Sequence, residues 1–179
     1  MIAMESHEEL QANIQVLIAA LRNADGLVRQ KARIQLVRIG EPAVDALIQV
    51  LKQDDGPSHW EAAKALREIA SPKAAPALIE ALEDNQFSVR WLAAEALIAL
   101  GQAGLEPLLE ALAERPLSSL MIEGAHHVLH DLLAKNYLLE RTADLVRPVF
   151  QALEGPEPSV GVPLAASKAL SELRRLQRQ

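Results

Sequence analysis

The stretch LIEALEDNQFSVRWLAAEALIALG, residues 78–101, decides the fold. Leu78, Ile79 and Leu82, then Val89, Ala93, Leu97 and Leu100, recur three and four residues apart. That is the spacing of two helices with one apolar face each. The polar EDNQFS between them leaves room only for a turn. A lone helical hairpin cannot bury both of its faces, so neighbouring hairpins must cover it.

The rest of the chain supplies those neighbours. Leu17, Ile18 and Leu21 are answered thirty residues on by Leu47, Ile48 and Leu51. Leu78, Ile79 and Leu82 follow after thirty-one, and Leu108, Leu109 and Leu112 after thirty more. Second helices keep step through Ala32, Ala62 and Ala93, and through Leu36, Leu66 and Leu97. Gly40 closes the first unit, with Ala70 and Gly101 in its place in the next two. Ser6 and Glu9 form a capping box at the first helix. Pro76, Pro107 and Pro148 each precede the apolar run of a first helix and are expected to bend it or set its start. Past Pro116 the spacing loosens. Ala125, Leu129 and Leu132 carry a helix to about Lys135, and a last hairpin uses Val149, Phe150 and Leu153, then Ala166, Leu170 and Leu173, around a GPEPSVGVP turn at residues 155–163. The expectation is one all-α domain over 1–179, an α-solenoid of about five hairpins with units near 6–40, 41–70, 71–101, 102–135 and 138–179.

Composition agrees and excludes several functions. Half the residues are hydrophobic but only 3% aromatic, so Ala, Leu, Ile and Val must build the core, a helix-forming set. The net charge of −6 argues against a nucleic-acid partner, because the one dense basic run is Arg174, Arg175 and Arg178 at a helix end. Cysteine is absent, which removes disulfides, thiolate metal sites and cysteine catalysis. The start MIAMESHEEL lacks the apolar core of a secretory signal, and no apolar run reaches the roughly 20 residues of a membrane span. A soluble, cytoplasmic protein without membrane contact is expected.

The residues SVRWLAAEALIALG in the third unit and LVRQKARIQLVRIG in the first resemble the HEAT-like repeats named after phycobiliprotein lyases. Val28-Arg29 and Val89-Arg90 match the Val-Arg opening of those repeats, Ala93-Ala94 the alanine pair, and Gly40 and Gly101 the close. The second unit departs, with Ser58-His59 in place of Val-Arg. The resemblance covers about residues 17–113. It implies a right-handed α-α superhelix with a helix-lined concave surface, and arginines that brace a loop carboxylate or amide, here Asp84 or Asn23. It also implies a range of functions, from bilin lyase subunits and phycobilisome-handling proteins to adaptors.

In such a stack the second helices line the concave surface. With Val89 facing inward, Trp91 lies roughly 200° around the helix at ~100° per residue. Its counterpart one repeat earlier is Trp60, the chain's only other tryptophan, and the register gives Gln30 and Glu123 at the flanks. One turn on come Ile34, Lys64, Glu95 and His127, and a turn beyond Val37, Arg67, Ile98 and His130. Trp60, Trp91, Lys64, Arg67, Glu95, Glu123, His127 and His130 are the expected partner-binding strip, since tryptophan and arginine dominate binding hot spots. The alternative packs the indoles between neighbouring helices.

EGAHHVLHD, residues 123–131, sets His126 one turn from His130, Glu123 from His127, and His127 from Asp131. Such spacing suits a divalent metal, with Glu123, His126, His127 and His130 as candidates. Histidines pairing within the last hairpins are the plainer reading, and no metal or cofactor is expected. Asp54-Asp55 and Glu83-Asp84 read as turn and capping carboxylates. No phosphate loop, nucleophile elbow or HExxH motif is present, so no catalytic residues are assigned. The reading is a non-enzymatic scaffold for a protein or peptide partner. The alternatives are a bilin-lyase-like or phycobilisome-associated protein and a His/Glu metal enzyme.

Overall fold

The computed structural model describes residues 7–53 and 56–178, so the box at Ser6 and the carboxylates Asp54 and Asp55 lie outside the described residues. Within them there are ten α-helices and no strand: α1 (His7–Ala20), α2 (Gly26–Ile39), α3 (Val44–Lys52), α4 (Gly56–Ile69), α5 (Ala75–Ala81), α6 (Phe87–Leu100), α7 (Gln102–Glu114), α8 (Ser119–Ala134), α9 (Glu140–Leu153) and α10 (Pro158–Gln177). Short 3₁₀ turns at Glu41–Ala43 and Pro72–Ala74 lead into α3 and α5.

Two layers result. First helices pack in series, α1 on α3, α3 on α5 and α5 on α7, and second helices likewise through α2, α4, α6 and α8. The leucines that repeat in the sequence are what the layers share, and one buried cluster runs from Ile14 and Ile18 to Leu170 and Leu173. Ala32, Ala62, Ala93 and Ala125 are all buried on the second helices. Small side chains there let the helix axes approach closely, within the usual 8–10 Å packing range.

The last pair reverses this order. Read as a continuation of the repeat, α9 would join the first layer and α10 the second. Instead α9 packs on α8 and α10 packs on α7, while α9 and α10 pack on each other. Arg174 of α10 fixes the exchange by pairing with Glu106 (2.8 Å) and Glu110 of α7. Its guanidinium holds the Glu106 carboxyl below the usual carboxylate range. That contribution is present above the ordinary glutamate range and is lost as the pH falls through the lowered value. Of the three prolines, one sets the start of its helix as expected. Pro76 sits in the first turn of α5, whereas Pro107 and Pro148 lie inside α7 and α9. Two thirds of the 155–163 segment read as a turn is helix, because α10 starts at Pro158, where a missing N–H costs nothing.

The turns show why the Val-Arg opening recurs. Arg29 Nη1 donates to the main-chain carbonyls of Asn23 (2.8 Å) and Ala24 (2.9 Å), and Arg90 Nη1 to those of Asp84 (2.9 Å) and Asn85 (3.4 Å). These are the residues the resemblance implies, but through carbonyls rather than side chains. The side chains are already engaged: Asn23 Oδ1 accepts from the Asp25 amide and Asp84 Oδ1 from the Gln86 amide. His59, standing where an arginine is expected, meets Asp84 Oδ2 of the following turn at 3.0 Å. The plain reading of Glu83 and Asp84 as turn carboxylates holds.

A buried ion network joins α2 to α4. Arg33 donates to Glu61 at 3.0 Å and Glu68 at 2.5 Å, with Arg33 and Glu61 each 5% exposed. Removing one partner leaves a buried charge uncompensated, so Arg33→Ala is expected to lower unfolding stability by about 3 kcal/mol or more in denaturant titration. Ala70 is the opposite case. It occupies φ 54° at the end of α4, where the matching positions hold Gly40 (φ 75°) and Gly101 (φ 56°). A β-carbon is disfavoured at positive φ, so Ala70→Gly is expected to stabilise the protein by ~1 kcal/mol, seen as a raised denaturation midpoint at unchanged slope.

Candidate functional site

The exposed surface of α4, α6 and α8 brings part of the expected strip together and disperses the rest. Arg67 of α4 pairs with Glu95 Oε2 of α6 at 3.4 Å, and Glu95 Oε1 lies 3.5 Å from His127 Nε2 of α8. Trp91 stacks on His127, ring centroids 4.6 Å apart and planes 27° from parallel. One ladder of side chains thus crosses three second helices.

The two tryptophans take different surroundings despite their shared register. Trp60 is half-buried against the core, with the Lys64 ammonium 4.5 Å from its ring centroid. Trp91 is 49% exposed and neighbours Phe87, itself 62% exposed, at 6.4 Å. Ile98, placed on the outer strip by periodicity, is buried. It shares a hollow with Arg67, Lys135 and Tyr137 near the end of its helix. Tyr137 is 53% exposed. Gln30 and Ile34 are exposed at the α2 end of the layer and Val37 is half-buried.

Between α6 and α8 lies a mainly apolar groove of about 370 Å³ whose walls include Phe87, Trp91, Leu120, Glu123, His126 and His130. The local sequence makes this opening. Asp84 and Arg90 fix the turn before α6, and the Arg90 guanidinium lies 5.5 Å from the Phe87 ring, holding that phenylalanine at the helix start. Ser118 caps α8 by accepting from the Met121 amide and donates to Glu83. Gly124 then lets α8 descend onto Leu82: a β-carbon there would stand 3.0 Å from Leu82 Cδ2. An isolated glycine inside an apolar helical pattern is the signal that could have disclosed this approach.

The three histidines of α8 each face a different carboxylate. His126 meets Glu154 of α9 at 3.4 Å and lies against Phe150, centroids 4.9 Å apart. His130 Nδ1 is 3.1 Å from Asp131 Oδ1. Lys135, and after it His130, hold the Asp131 carboxyl below its ordinary range by hydrogen bonding. The metal candidates Glu123, His126, His127 and His130 are therefore not brought together. The one group of described residues with converging ligand atoms is Glu95, His127 and Asp131, all within 4.8 Å of one another.

Stacked helix pairs in two layers define an α-solenoid. Residues 44–129, from the start of α3 into α8, match the HEAT-repeat family. No curated protein matches the chain. Among solved structures it is similar to the complex of CpcE and CpcF of phycocyanin lyase from Nostoc sp. PCC7120, at 28% identity over 98% of this chain and 69% of that one, with a TM-score of 0.47. Two engineered proteins are similar at 22% identity, each over 94% of this chain and over 82% and 84% of their own, with TM-scores of 0.41.

Gly124→Ala tests the groove's construction. The added methyl must displace Leu82, so a loss of about 1–3 kcal/mol is expected in chemical denaturation. Tryptophan emission should shift with it, because α8 carries the His127 ring that covers Trp91.

Proposed function

We propose that this chain is a protein-interaction scaffold that receives a peptide segment of a partner protein in the groove between α6 and α8. The observation that carries the reading is the pair of exposed rings, Phe87 and Trp91, set over that groove. Large aromatic side chains left in water are costly to display, and at the rim of an apolar concavity they mark a contact surface. The groove's size lies within the ordinary range for binding pockets, enough for one or two anchoring side chains. HEAT repeats agree with this role, since stacked helix pairs offer an extended surface that no single pair could hold in place.

The anchor differs from the one expected from register alone. Trp91 with Phe87 and His127 forms the centre, Glu123 and His130 the rim, and Arg67 and Glu95 the support behind it. Trp60 and Lys64 belong to a separate contact on α4. The partner is a polypeptide with an aliphatic or aromatic residue to seat against the indole.

Paired pull-downs from the native cell, quantified by mass spectrometry, test this. Phe87→Ala/Trp91→Ala should reduce recovery of the partner about thirtyfold, the equivalent of a 2 kcal/mol hot spot, at unchanged helicity. Trp60→Ala should leave recovery near wild type. Equal recovery by the wild type and the double variant would remove the groove from the function.

A further inference from the structure

Glu95, His127 and Asp131 come from two adjacent helices: the spacing within α8 pairs His127 with Asp131, and the repeat register pairs Glu95 with His127. The geometry points to a site for one divalent first-row transition ion of the zinc class, held by Glu95 Oε1, His127 Nε2 and a carboxylate oxygen of Asp131. Three features of the cluster support it.

The first is separation. An ion bound tetrahedrally at roughly 2.1 Å holds its donors about 3.4 Å apart. Glu95 Oε1 and His127 Nε2 are 3.5 Å apart, and all three residues offer donor atoms within 4.8 Å of one another. The second is an unsatisfied nitrogen. His127 Nε2 is sealed from solvent and has no hydrogen-bond partner among the described residues. A buried polar atom left this way costs free energy, and an ion between it and the carboxylate removes that cost.

The third is the shell behind the donors. Arg67 sits on the other Glu95 oxygen, Oε2, and Lys135 on Asp131 Oδ2, at 2.6 Å. A cation thus sits on one oxygen of each carboxylate, which leaves Glu95 Oε1 to the ion. Asp131 Oδ1 faces His130, whose exposed ring can turn away. One imidazole and two carboxylates suit zinc, cobalt or manganese better than the all-oxygen ions calcium and magnesium. Three protein donors leave one position of a tetrahedral ion to a non-protein ligand.

The stack of His127 on Trp91 supplies the readout. Protein made without a histidine tag and stripped with chelator is titrated with Co²⁺, then competed with Zn²⁺. Stoichiometric binding of one ion, cobalt d–d absorbance and quenching of Trp91 emission are expected, with quenching retained in Trp60→Phe and lost in Trp91→Phe. The near-isosteric changes Glu95→Gln and Asp131→Asn should each weaken binding by about tenfold or more, with circular dichroism confirming the fold. His126→Ala, outside the cluster, should not weaken it. The assignment is overturned by the absence of binding, or by binding that Glu95→Gln and Asp131→Asn leave intact while His126→Ala abolishes it. No partner is present in this titration, so its result is independent of the peptide groove.

Discussion

A helix pair with apolar residues on two sides cannot exist alone in water, and every other feature of this chain follows from that. Each leucine of the recurring Leu-Ile-x-x-Leu triplet buries its side chain only because the adjacent pair covers it, at about 1.5–3 kcal/mol for each side chain fully buried. The buried alanines of α2, α4, α6 and α8 contribute less burial and more proximity. They set the spacing at which side chains flanking them on the outer surface can meet across helices. The contact of Arg67 with Glu95, and of Glu95 with His127, exists because of that spacing.

Stacking alone would leave the same open faces at both ends. At the C-terminal end the chain meets this by exchanging the roles of its last two helices. The exchange is stitched in both layers: Arg174 joins α10 to α7, and His126 with Phe150 and Glu154 joins α9 to α8. At the opposite end the stitching is buried instead, in the network of Arg33 with Glu61 and Glu68 between α2 and α4. A buried pair is a weak source of net stability but a strong penalty on misregistry, since any slip of α2 against α4 strands a charge.

Periodicity was enough to read most of the helices and most of the core, because burial repeats at 3.6 residues wherever a helix has one covered face. It could not say which layer α9 and α10 join. Both carry an apolar stripe, and only the partners of Arg174 and His126, 68 and 28 residues away, separate the two arrangements. The strip was readable in part for the same reason. Register placed Glu95, His127 and Arg67 on one surface, but it treated Trp60 and Trp91 as equals. What divides them is the neighbouring helix: Trp60 has the Lys64 ammonium of its own helix over its ring, and Trp91 has the imidazole of α8. Phe87 and Gly124 went unmarked, since one falls in the EDNQFS stretch read as a turn and the other has no side chain to count.

The ladder Arg67–Glu95–His127 and the pair Asp131–Lys135 explain why the groove can be open without being loose. Opposite charges meet in both, Arg67 on Glu95 and Lys135 on Asp131, and the ring of His127 lies between Glu95 and the indole of Trp91. A rigid wall lowers the entropic cost of seating a guest, which is how a small groove gains affinity without gaining area. The same rigidity makes the arrangement sensitive to whatever fills the space between Glu95, His127 and Asp131. Any group that binds there acts on the indole through one intervening ring, because the groove wall at Trp91 and the charged cluster share His127.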